Sequence, residues 1–225
     1  MTNQMICIEP KDFDESRVYI EKPTNNETKF LRIYYANDKN KDCDLCIKLP
    51  ESQTFGIKPY YKFGSKRSKI NGYQIVYNEN FDTLNFFDSL IAACYSNIKT
   101  WKKEKLISKK LPVKPVFVYQ KSKENDKYMD DPTKPKVAYI KLNTYNNDGN
   151  IKIYTKMYDN HSEPRDPLDY ISKPGNVKPI IKIRGLYLGG EYAYIQFRIL
   201  QLIYKPSDLP MLFDYSDFDF ETDDE

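Results

Sequence analysis

The sequence predicts a mainly β chain: a small closed or partly open barrel elaborated by long loops, one amphipathic α-helix at about 82–110, and a disordered acidic C-terminal tail. Three observations predict it. Short segments alternate apolar and polar residues with the period of two that turns one face of a strand into a core. A single stretch repeats apolar residues every three or four positions instead, the period of a helix with one buried side. Residues 206–225 have neither period and carry eight acidic side chains and no basic one, too little apolar surface to offset the entropy of ordering. At 225 residues and 40% hydrophobic content, the chain before that tail can fill one substantial core, so 1–205 reads as a single elaborated domain and 206–225 as its tail.

In chain order, strands are expected at 5–8, 17–20, 30–35, 45–49 and 73–77, then at 116–119, 136–142, 151–158, 180–184 and 193–204. Clusters of Gly, Pro, Asn and Asp place loops at 21–29, 36–42, 64–72, 122–135, 143–150 and 160–177. The helix is read from Leu84, Phe87, Ile91, Cys94, Ile98 and Trp101, with Asp82 and Thr83 as its start signal. Lys99, Lys102, Lys103 and Lys105 suit the negative pole of its macrodipole, and Leu111-Pro112 closes it.

Charge is polarised along the chain. All 35 basic side chains and 24 of the 32 acidic ones precede residue 206, a net of about +11 that the tail reduces to an overall +3. Such a body attracts polyanions, and such a tail imitates one. Tyr (20) and Phe (12) outnumber the one Trp, so a polar surface must carry rings. The tail interleaves Phe213, Tyr215, Phe218 and Phe220 with Asp214, Asp217, Asp219, Glu221, Asp223, Asp224 and Glu225, a composition able to occupy a groove built for phosphates and bases or to dock on basic partner proteins. Four scattered cysteines do not make a disulfide scaffold, and charges interrupt every apolar run before membrane-spanning length. A soluble intracellular protein without membrane contact is expected.

Few motifs suggest catalysis. Cys43-Asp-Leu-Cys46 has zinc-knuckle or redox spacing, but no second pair completes a site and the motif leads into an expected strand, so buried or incidental thiols are expected. His161 lies in a loop beside acids, and Gly185, Gly189 and Gly190 lack the spacing of a phosphate-cradling loop and read as turn residues. With no nucleophile motif and no nucleotide fingerprint, neither an enzyme nor a cofactor is expected.

Strand sidedness is more informative. In 151–158 the alternation puts Ile151, Ile153, Thr155 and Met157 on one face and Lys152, Tyr154, Lys156 and Tyr158 on the other. Tyr139 and Lys141 share a face, Lys182 and Arg184 oppose Ile181 and Ile183, and Arg198 opposes Phe197 and Ile199. A further basic aromatic cluster joins Tyr60, Tyr61, Lys62 and Phe63 with Lys66, Arg67 and Lys69. Ammonium and guanidinium groups alternating with rings suit single-stranded nucleic acid, whose phosphates track cations while unpaired bases stack. The expected contacts are Lys141, Lys152, Lys156, Lys182, Arg184 and Arg198 for phosphates and Tyr139, Tyr154 and Tyr158 for bases.

From Lys136 to Tyr204 the chain contains Thr155-Lys156-Met157-Tyr158-Asp159, then Asp166-Pro167-Leu168, then Lys178-Pro179-Ile180-Ile181-Lys182-Ile183-Arg184-Gly185-Leu186-Tyr187-Leu188-Gly189, and Tyr194-Ile195-Gln196-Phe197-Arg198-Ile199. As an ordered set followed by an acidic tail, these resemble the single-stranded DNA-binding proteins of large DNA viruses of eukaryotes, related to those of podophages. The resemblance implies an OB-fold core that coats single-stranded DNA in viral replication, recombination or repair, at the replication site in host cytoplasm or nucleus. It also implies a tail that competes with DNA and recruits replication proteins, and it raises a homodimer that exchanges tails. One departure stands out: podophage members end in an aromatic residue, whereas the last ring here is Phe220. The alternative reading is a viral structural or assembly protein that self-associates through its polarised charge.

Overall fold

The computed structural model describes residues 4–24, 28–37, 42–61, 70–108, 110–124, 127–147 and 149–207. The acidic residues singled out from Asp214 onward, and Lys62 to Lys69 of the basic aromatic cluster, lie outside them. The chain is mainly β with one helix. Its N-terminal half holds β1 (Met5–Ile8), β2 (Val18–Ile20), β3 (Phe30–Tyr35), β4 (Cys43–Lys48), β5 (Ser52–Thr54), β6 (Ile57–Tyr61) and β7 (Ile70–Asn78), followed by α1 (Phe81–Lys103). After the helix come the paired β8 (Lys121–Glu124) and β9 (Lys127–Asp130), then β10 (Val137–Lys141), β11 (Thr144–Asn147), β12 (Asn150–Ile153), β13 (Lys156–Tyr158), β14 (Pro164–Arg165), β15 (Gly175–Leu188) and β16 (Ala193–Pro206).

The backbone of the large sheet is the antiparallel pair β15–β16, two strands of 14 residues each. One edge of β15 is taken in succession by β3, β4 and β5, while β16 carries β13 and then β14 on its other side. The sheet ends at β1 and β14 and stays open between them. Register shifts at Ile180/Ile181 and Ile183/Gly185 mark bulges, which bend a strand and increase its twist so that it can serve several partners along its length. A second sheet orders β10-β7-β6, and the bridge Leu142↔Ile199 runs parallel between the end of β10 and β16.

Inward-facing residues of both sheets meet one face of α1. Leu31, Ile33, Leu45, Ile47, Ile75, Ile140, Ile181, Ile183, Leu186 and Ile199 form one core with Phe86, Phe87, Leu90, Cys94, Ile98 and Trp101 of the helix. The expected stripe is rotated slightly, since Phe86 and Leu90 are buried where Leu84 and Ile91 are only half-buried. Asn80 caps the helix, its Oδ1 accepting from Thr83 N at 3.0 Å and Thr83 Oγ1 at 2.7 Å.

The helix stops at Lys103 rather than near 110. Leu106 N donates to Trp101 O and Lys105 N to Lys102 O, while Lys105 stands at φ 60°: a Schellman stop with lysine at the left-handed position glycine usually takes. The expected 116–119 strand is reduced to one bridge, Val118↔Val137. Strands β5 and β6 fall outside every expected strand, and β14 lies in the expected 160–177 loop. Polar strands are a further gap: β8–β9 falls almost wholly in the expected 122–135 loop and β11 in 143–150, and β8 and β11 have no aliphatic alternation to give a period-two signal. The 151–158 strand is split at Tyr154 and Thr155, where the buried Thr155 hydroxyl donates to Ile199 O at 2.7 Å and accepts from Asn143 N at 2.7 Å. That two-way bond sends β12 into a hairpin with β11 and β13 into the large sheet.

Candidate nucleic-acid interface

Residues alternating with the core residues point to the opposite side of the sheets, and there they are rings and cations. On β3, Leu31, Ile33 and Tyr35 are buried, which turns Phe30, Arg32 and Tyr34 outward. Leu186 and Leu188 on β15 and Ala193 and Ile195 on β16 are buried, which turns out Tyr187 and Tyr194. These two are directly paired, their rings stacked at 5.1 Å and 23°. Arg32 gains from its bond to Tyr34, which raises its already high pKa. Further along the same face β16 presents Gln196 and Arg198, and β15 presents Lys182 opposite Arg198, with Arg184 exposed on the second bulge.

The face continues across the second sheet. Lys141, Gln74 and Lys58 are aligned partners on β10, β7 and β6, opposite the buried Ile140, Ile75 and Ile57. Because the bridge Leu142↔Ile199 is parallel, Lys141 and Arg198 fall side by side where the sheets meet. One row therefore runs Lys58, Gln74, Lys141, Arg198, Lys182 across five strands. Lys141 Nζ lies 4.6 Å from the centroid of the Tyr60 ring, a cation–π contact. Burial presses the Arg198 guanidinium toward losing its proton, Tyr60 opposes this and Arg184 adds to it. Burial likewise lowers the Lys58 pKa. Cations held where their charge is costly are what an incoming phosphate would stabilise. The Lys182 ammonium is held by Asp44 at 2.6 Å, and Arg198 Nη1 donates to Phe197 O at 2.9 Å.

Two glycines shape this face. A Cβ on Gly72 would meet the Tyr60 ring at 2.7 Å, and one on Gly185 would meet Leu31 O at 2.3 Å and the Phe30 ring at 2.7 Å. In both places the ring of the neighbouring strand occupies the room that a side chain would take. The rings thus sit close to the sheet instead of standing off it, a seat that only glycine leaves open.

The expected contacts fall into three groups. Lys141, Lys182, Arg184 and Arg198 come together at the sheet junction, with Tyr139 half-buried beside them on β10, its phenol pushed up to about 12 by burial. Lys156 and Tyr158 lie on the same outward side at the far end of β16, beside Gln201 and Ile203. Lys152 and Tyr154 belong to the β11–β12 hairpin, whose exposed side adds Tyr145, with Lys152 Nζ 5.2 Å from the Tyr154 ring. The alternation had missed Phe30, Arg32, Tyr34, Lys58, Tyr187 and Tyr194. Phe30, Arg32, Tyr34 and Tyr194 sit in expected strands, so tracking parity beyond the basic residues finds them; Tyr187 lies past the expected 180–184 strand, because Gly185, read as a turn residue, instead pairs inside β15 with Arg32 and Gln196.

Cys43 and Cys46 are three apart on one strand and so face opposite sides of β4; both are buried. Burial pushes the Cys46 thiol up to about 12 and also raises that of Cys43. Among the described residues, no three His, Cys, Asp or Glu side chains gather as a metal site, and no helix is long and apolar enough to cross a membrane. His161 is exposed, and its backbone N–H donates to Asp159 Oδ1 at 2.9 Å.

Neither a family model nor a curated protein matches the chain. Among solved structures, the single-stranded DNA-binding protein of bacteriophage Enc34 in complex with ssDNA is similar at a TM-score of 0.38 and 14% identity, over 85% of this chain and 98% of that one.

Proposed function

We propose that the protein binds single-stranded DNA without sequence preference and without catalysis, along the outward face of its two sheets. One observation carries the reading: rings and cations that alternate with the core converge on one continuous face, from Tyr187 and Tyr194 through Arg198 and Lys141 to Tyr60. These rings are half-buried, and any stacking they offer needs bases that are not already stacked in a duplex, while cations between them need a backbone phosphate close to each base. Both conditions describe a single strand. None of the base-reading geometry of a major-groove helix is required, so the contacts are indifferent to sequence.

The same reading includes the role that the family resemblance implies: coating single-stranded DNA in viral replication, recombination or repair, with the 206–225 segment competing for the face and recruiting replication proteins. The test is fluorescence anisotropy of a labelled oligothymidine at low and moderate salt, with the full chain and with a chain ending at Ser207, just past β16. Binding should weaken with salt, with a log–log slope of about −0.7 for each phosphate neutralised, and strengthen when the acidic segment is removed. Absence of binding by either chain discards the reading. Equal competition by an RNA oligomer of matched length would widen the ligand to single-stranded nucleic acid.

A further inference from the structure

A second basic and aromatic patch lies on the helix side of the molecule, at the tip of the β15–β16 hairpin. Lys99 and Lys110 both rest on the ring of Tyr95, with their ammonium groups 4.6 and 5.0 Å from its centroid. Lys110 also bonds the Tyr95 phenol, which lowers its pKa. Lys110 leads into a segment that pairs with the hairpin: Val113 bridges Ala193, and Lys114 N donates to Ala193 O at 2.8 Å. Lys114 then places its ammonium 5.1 Å from the ring of Tyr192, an exposed residue two positions before the outward-facing Tyr194. Lys110 and Lys114 are four residues apart and can be separated by at most about 14 Å of extended chain.

Between the two patches lies a recess lined by Thr28, Lys29, Ile107, Leu111, Tyr187 and Gly189. It opens beside Tyr187, the ring already assigned to the sheet face. The hairpin tip thus has ring and ammonium pairs near it, Tyr192 with Lys114 and Tyr95 with Lys99 and Lys110, besides the Tyr187–Tyr194 pair.

We infer that a bound single strand does not end at the Tyr187–Tyr194 pair but turns over the hairpin tip past Tyr192 and Lys114 and continues onto the Tyr95, Lys99 and Lys110 patch. This rests on the proposed binding of single-stranded DNA and extends it, since a strand that follows this course is longer than the sheet face alone accommodates. The helix patch contributes only to ligands long enough to reach it.

The test compares the full chain with a Lys99→Gln/Lys110→Gln double variant, using oligothymidines of graded length in anisotropy titrations at several salt concentrations. Thermal melting confirms that the variant is folded, as expected for two exposed lysines. For long oligomers the variant should bind more weakly, with a log–log salt slope shallower by about 1.4, the equivalent of two phosphates. For the shortest oligomer that binds, both proteins should be alike. Identical affinity and slope at every length overturns the extended path while leaving the sheet face intact. Equal weakening at all lengths also overturns it, because the lysines would then act on the primary site. Failure of the unaltered protein to bind any oligomer overturns the underlying reading, and this inference with it.

Discussion

Single side chains decide how strongly this face can act. Asp44 is the acid that holds Lys182, and removing its charge would free the ammonium for a phosphate. Asp44→Asn is expected to tighten oligothymidine binding and steepen its salt dependence; weaker binding would place Lys182 outside the interface. Tyr60 and Tyr187 are half-buried rings on the proposed path, so Tyr60→Ala and Tyr187→Ala should each cost about 1–3 kcal/mol of binding in titration, with thermal melting checking that each variant keeps its fold. Asp159 has a different task. It is buried, accepts the N–H groups of His161 and Glu163, and pairs with Arg165 Nη2 at 2.5 Å. The Arg165 bond, followed by the backbone bonds, holds its carboxyl below the ordinary range. A depressed folded pKa contributes stability that is complete above the unfolded value of about 3.9 and disappears as pH falls through the folded value. Asp159→Asn should therefore melt earlier than the unaltered chain near pH 7, with the two converging on acidification; a gap that persists in strong acid would refute the ion pair as its source.

Elements differ in how much of them the sequence discloses. Strands with one apolar face, such as β1 and β3, are bounded at the expected residues, and α1 is marked by Phe87, Cys94, Ile98 and Trp101. The strands β8 and β11, Lys-Ser-Lys-Glu and Thr-Tyr-Asn-Asn, carry no aliphatic alternation for the sequence to disclose. The split of 151–158 was equally hidden, since Thr155 fits the inward parity of a continuous strand and only its paired oxygen bonds show that the chain turns there. In the candidate site, the parity of Lys141, Lys182 and Arg198 could be read directly, but their convergence depends on the Leu142↔Ile199 bridge, a long-range contact that no local pattern encodes. The helix terminus was misplaced for a related reason, because the stop is made by Lys105 where a glycine would have been recognised. A non-glycine residue in the left-handed region costs roughly 1 kcal/mol, so Lys105→Gly should raise stability by up to about that amount and the melting temperature by about 2–4 °C. A lower melting temperature would mean that the lysine stem contributes more packing than its backbone conformation costs.

At the scale of the whole molecule, charge and architecture are divided between the body and the terminal segment. Before residue 206 the chain carries a net charge of about +11, part of it on the outward sheet face at Lys141, Lys182, Arg184 and Arg198 and part at the end of α1, at Lys99, Lys102 and Lys103. On the proposed reading, long-range attraction to a polyanion and short-range stacking act together, and added salt should weaken the first without affecting the second. Raising ionic strength is accordingly expected to lower the association rate more than it raises the dissociation rate, a difference that stopped-flow mixing resolves. If dissociation carried most of the salt effect, the steering role of the body charge would be refuted.

The pairing of β15 with β3 and β4 also bears on how the chain is made. Lys48 closes β4 and Gly175 opens β15, so the N-terminal strands leave the ribosome well before their central partner exists. At about 5–20 residues per second, that interval is on the order of ten seconds, during which β3 and β4 have β1, β2 and each other to pair with but lack β15. Part of the future core stays uncovered until the β15–β16 hairpin, the last of the described elements and closed by a short local turn, supplies the edges that β3, β4, β5 and β13 share.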